Sequence, residues 1–123
     1  MAELKQLAVE YKLTASHFTG IGAFQSATVG FYDVDKKRYE KTLFREQIEV
    51  LSLVGDISLN GAEPQIHAHV VIGRADATAH GGHLLFGLVC PTLEVVLTES
   101  PVYLRRKYNP DVGLYLISLN DID

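Results

Sequence analysis

Between Gln65 and Cys90 the sequence reads QIHAHVVIGRADATAHGGHLLFGLVC, and no other stretch limits the fold as tightly. Two runs of strand-forming residues, QIHAHVVIG and HLLFGLVC, flank a polar break from Arg74 to Ala79 that returns the chain on itself. Side chains alternate across a strand, so His67 and His69 project from one face. If the second run lies beside the first, His83 can face that pair. Two imidazoles from one strand and a third from its neighbour form a donor set that zinc accepts. Surface or hydrogen-bonded strand histidines are the other reading, and spacing alone does not choose between them.

The rest of the chain must supply a partner for these strands. At 123 residues it is expected to form a single domain, 1–123, with a real core. A net charge of −4 gives no general attraction for nucleic acid or an anionic membrane. The one basic cluster, Arg105-Arg106-Lys107, reads as a solvated turn. Cys90 is the single cysteine and sits in the apolar run HLLFGLVCP, which predicts a buried, inert thiol and a reducing compartment. No apolar run is long enough to span a bilayer, and MAELKQLAVEYKL has no signal-peptide core; a cytoplasmic protein is expected.

In chain order, Leu4, Leu7, Ala8 and Tyr11 predict an amphipathic N-terminal helix. Thr14 to Phe24 reads as a turn with Gly20 and Gly22; as a functional element it would be one wall of a pocket, with His17 nearby. Ala27 to Tyr32 and Arg38 to Phe44 read as a hairpin around Asp33–Lys37. Gln47 to Leu59 is a long strand with a bulge or bend expected at Gly55, followed by a turn at Asn60-Gly61 that Ala62-Glu63-Pro64 lengthens. Pro91 separates the histidine stretch from a further strand, Leu93–Thr98. A polar loop over 100–111, a last strand from Gly113 to Leu119 and a frayed acidic tail complete the chain. One helix ahead of six or seven strands predicts an α+β fold, mainly antiparallel sheet with a flanking N-terminal helix.

The familiar catalytic constellations are missing: no G-x-S-x-G elbow, P-loop or G-x-G-x-x-G occurs. Glu49 and Glu94 lie in apolar strand surroundings. Each orients a histidine from behind, acts as a general base on a metal-bound water, or points to solvent, and for each alone solvent is the simpler reading.

GIGAFQSATVGFYD, IEVLSLVGDISL, the run from IHAHVVIG to GGHLLFG, and LEVVLTE follow one another in an order and spacing that resemble the PPC domain (plants and prokaryotes conserved). The resemblance covers nearly the whole chain and is to the prokaryotic stand-alone type. It implies an α+β fold assembled as a homotrimer, with a metal in some members on the histidines of H-x-H and GGH. By position those are His67, His69 and His83; His80 falls outside the shared pattern. Plant members carry an R-G-R-P AT-hook, which is absent here, so direct DNA binding is not expected. Members usually start with a strand ahead of the first helix, whereas this sequence opens directly at the expected helix.

The expectations are therefore zinc, or another divalent metal, on His67, His69 and His83, and a small anionic ligand in a pocket at the metal. His17, Gly20, Gly22, Gly81 and Gly82 would line that pocket and a neighbouring subunit would complete it. A homotrimer would also cover apolar strand surface that one helix cannot. Whether any reaction is catalysed stays open between a metal-dependent enzyme or sensor and a non-catalytic trimeric interaction module.

Overall fold

The first strand begins earlier than the sequence suggested, at Ala15, and runs to Asp33. In the computed structural model, which describes residues 1–100 and 105–118, this is β1 (Ala15–Asp33). It follows α1 (Ala2–Glu10) and precedes β2 (Arg38–Phe44), β3 (Ile48–Asn60), β4 (Glu63–Gly73), β5 (Ala79–Glu99), β6 (Arg106–Asn109) and β7 (Leu114–Ile117). The glycines that suggested a turn over Thr14–Phe24 serve strand packing instead. At Gly22 a Cβ would collide with the carbonyl of Thr92 on β5, so only glycine lets the two backbones come together there.

Five strands form one antiparallel sheet in the order β2-β1-β3-β4-β5, and β5 also pairs with β1. The sheet therefore closes into a ring, β1-β3-β4-β5, with β2 alongside the far half of β1. Around the histidines closure gives His69 and His83 strand partners on both sides. Phe18, Phe24, Ile48, Leu53, Ile57 and Ile72 fill the interior. Burying a side chain of this size contributes roughly 1.5–3 kcal/mol. α1 packs against β4 through Ala8, and Met1, Leu4 and Leu13 cover the core beside it. Among the described residues no helix is long and apolar enough to cross a membrane.

Several local expectations change. β3 passes Gly55 unbroken; the glycine is required because the ring of Phe18 and the carbonyl of His67 occupy the space its side chain would take. The β3–β4 turn is two residues, Gly61-Ala62, with Asn60 paired to Glu63. Gly61 takes a φ of 62°, which glycine adopts without strain. β5 continues through Pro91, and Leu88 to Thr92 lie exposed, so Cys90 is exposed and not buried. From Arg105 onward the expected polar loop is a strand hairpin, β6–β7, joined to the sheet by a bridge between Leu59 and Arg105. The last strand ends at Ile117, and the acidic tail lies outside the described residues.

Candidate metal centre

The two-residue turn after Asn60 fixes the register of β3 against β4, setting Asp56 opposite His67 and Val54 opposite His69. The next turn brings β5 back with His83 opposite His69. Alternation then does the rest: His67, His69 and His83 stand on the outer face of the ring, opposite the core. One nitrogen from each lies within 4.8 Å of the other two. Ring centroids are 5.1 Å apart for His67–His69 and His67–His83, and 5.4 Å for His69–His83. Tetrahedral zinc places its nitrogens about 3.4 Å apart, so a small inward rotation of the side chains completes the fit.

Two of the three rings are oriented from behind. His67 Nδ1 lies 3.4 Å from Asp56 Oδ2, and His83 Nδ1 lies 3.3 Å from Tyr39 Oη, with the Tyr39 and His83 rings 4.7 Å apart. When both Nδ1 atoms carry the proton and face these oxygens, both Nε2 atoms are free to bind a cation. Asp56 is held in turn. Arg106 Nη2 donates to its Oδ1 at 2.7 Å, and Ser58 Oγ donates to the same oxygen at 3.1 Å. The Arg106 side chain, from β6, is only 5% exposed, so this part of the basic cluster is buried and not a solvated turn.

The electrostatics favour neutral imidazoles at His69 and His83. Burial, then the charges of His67, His69 and Arg106, push His83 down from 6.5 to about 4. His69 is lowered as well, by burial and then by His67. Burial alone would raise Asp56, but hydrogen bonds from His67, Arg106 and Ser58, with the Arg106 charge, outweigh it and keep the carboxylate ionised. Burial and then Tyr32 raise Tyr39, which stays protonated. A nitrogen-only donor set backed by one carboxylate suits a divalent cation.

The other expected site residues are not members of this triad. His17 is exposed on β1, across from Asp56 but outside the triad. Gly20, Gly22, Gly81 and Gly82 each face a backbone carbonyl of an adjacent strand: Glu94, Thr92, Val70 and Gly30 respectively. Glu49 and Glu94 are exposed, and the carboxylate that reaches a histidine is Asp56. His80 sits against Phe44 and Thr78. Asp56, Tyr39 and Arg106 were not foreseen. The turn length would have revealed the first of them.

The sequence pattern of the Plants and Prokaryotes Conserved (PCC) domain matches residues 1–101. The chain belongs to the PCC domain family. A PCC relative in fold is a candidate DNA-binding protein from Bacteroides thetaiotaomicron, 32% identical with a TM-score of 0.92 over 97% of this chain and 83% of that one. A metal-containing protein from Archaeoglobus fulgidus is 36% identical with a TM-score of 0.85, over 95% of this chain and 83% of its own. In sequence, the bifunctional protein GlmU of a Synechococcus strain is 32% identical over 114 residues, 90% of this chain. The PCC chain spans 17% of that relative's length.

Proposed function

We propose that this PCC domain is a metal-binding module in which His67, His69 and His83 hold one divalent cation, zinc by preference. The observation that carries the reading is the convergence of three imidazole nitrogens within 4.8 Å, two of them oriented from behind by Asp56 and Tyr39. The metal-containing archaeal neighbour adds support. Zinc, when bound, supplies a concentrated positive charge and Lewis acidity. The chain's own part is to present three imidazoles and fix their rings. Three protein ligands leave a coordination position open, and a small anion such as a carboxylate or phosphate suits it.

The assembly we propose is a homotrimer. Ile21, Val54 and Val96 are exposed on the same outer face as the histidines, with Val54 directly opposite His69. A second copy covering this apolar strip would border the metal and wall the open position. The resemblance to part of a much longer bifunctional protein supports a sensing or assembly role beside an enzyme as readily as catalysis. A non-catalytic interaction module is the second reading, favoured by that same strip. Direct DNA recognition, suggested by the name of one structural neighbour, sits poorly with a net charge of −4.

The test is zinc titration of metal-free protein together with sedimentation equilibrium. One zinc per chain, lost in His83→Ala with the melting curve of the metal-free protein unchanged, supports the site; equal binding by parent and variant overturns it. A monomer mass at micromolar concentration ends the trimer reading.

A further inference from the structure

We propose that Arg106 is a positioning residue for the metal site: it fixes Asp56, Asp56 fixes His67, and docking of the β6–β7 hairpin is thereby coupled to metal binding. The inference rests on the metal reading above but concerns a different part of the chain. Arg106 lies beyond residues 1–101, where the family pattern ends, and on a hairpin that otherwise stands outside the ring.

The geometry is that of a bridge. Arg106 Nε donates to Ser58 Oγ at 2.6 Å and Nη2 to Asp56 Oδ1 at 2.7 Å, both on β3. Nη1 donates to the carbonyl of Tyr115 on β7 at 3.0 Å. One planar group thus ties the sheet to both strands of the hairpin. The two oxygens of a carboxylate turn as a unit. Holding Asp56 Oδ1 therefore sets the direction of Oδ2, the atom 3.4 Å from His67 Nδ1. The far end of the hairpin is fastened independently, by Tyr32 Oη donating to the carbonyl of Val112 at 2.8 Å and Lys37 Nζ to that of Pro110 at 2.6 Å. Undocking at the Arg106 end would release Asp56, let the His67 ring turn, and weaken the site. Binding energies are reciprocal, so a metal that needs Asp56 in place must strengthen hairpin docking by the same factor.

Charge has to be separated from geometry. A guanidinium near a dication opposes it, so deleting Arg106 outright would mix lost positioning with relieved repulsion. Arg106→Lys keeps the charge, yet a single ammonium cannot span Ser58, Asp56 and the Tyr115 carbonyl with a planar fork. Loss of a group that orients a ligand typically costs roughly ten- to a hundredfold in metal affinity.

The experiment measures zinc affinity by competition with a chromophoric chelator, and amide hydrogen exchange with and without zinc. In the unaltered chain, zinc should slow exchange in Lys107–Asn109 and Leu114–Ile117. Arg106→Lys should bind zinc at least about tenfold more weakly, with the amides of Ile57 and Ala68 still protected. Unaltered affinity in Arg106→Lys, or hairpin exchange indifferent to zinc in the unaltered chain, overturns the coupling and leaves the metal reading standing. Failure of the unaltered chain to take zinc removes the metal reading, and the coupling with it. Should Arg106→Lys not fold, the exchange response of the unaltered chain decides alone.

Discussion

The β3–β4 and β6–β7 hairpins share a form and are held by opposite means. β3–β4 is anchored through its inner face, where Leu53, Ile57, Ala68 and Val70 are buried, and this leaves its outer face free to carry Asp56, His67 and His69. β6–β7 exposes Tyr108, Tyr115, Leu116 and Ile117 and is fastened by the polar contacts of Arg106, Tyr32 and Lys37. Burial is non-directional and tolerant of small shifts, whereas hydrogen bonds fail once their geometry is lost. Two of the three ligands, His67 and His69, stand on the hairpin anchored by the core, and the group proposed to adjust His67 stands on the hairpin held by polar contacts.

Three perturbations break or sharpen that contrast. The largest is Ile57→Ala, which empties a fully buried site one residue from Asp56. It should cost about 2–5 kcal/mol of global stability, seen as a lowered urea midpoint with all probes shifting together. A loss confined to the β6–β7 amides would contradict the division of labour. Acid comes next and acts on the outer face. The folded chain keeps His83 neutral to about pH 4, while the unfolded chain protonates it near its ordinary 6.5. The unfolded state thus gains the proton first, and stability of the metal-free protein should fall as pH drops from about 6.5 to about 4. Below that range Asp56, whose folded pKa is lowered, removes a further contribution as it protonates. Melting temperatures followed across this window should fall, and His83→Gln should flatten the upper part of the curve. The smallest effect is expected for Tyr32→Phe, which removes the hydroxyl shared between the carbonyls of Val112 and Gly113 in the β6–β7 turn, about 1 kcal/mol. It should quicken exchange in β6 and β7 and leave the urea midpoint nearly unchanged, because the ring does not depend on the hairpin.

The histidine triad was legible because two local rules, alternation and chain reversal, suffice to bring His67, His69 and His83 together. The support behind it was hidden by one turn. Ala62-Glu63-Pro64 suggested a longer loop, and with that length unknown the residue opposite His67 could not be named. Given the two-residue turn, counting back from the Asn60–Glu63 pair sets Asp56 there. The long β1 was misjudged for a related reason. Gly20 and Gly22 look alike whether a chain turns or another strand crosses closely, and only the β1–β5 pairing distinguishes these. Arg106 stood out in the sequence only as part of a basic cluster that read as a solvated turn. Its role depends on where a distant hairpin lands, which neither periodicity nor motif encodes.

Closure of the ring has a consequence for descent. β1, β3, β4 and β5 are joined in a ring of strand pairs, so the three histidines can be inherited as one cassette whatever follows residue 100. The segment beyond is then a strap that can be refitted. A lineage could change its sequence, length or anchoring residue and retune the same ion, leaving every ligand where it stood.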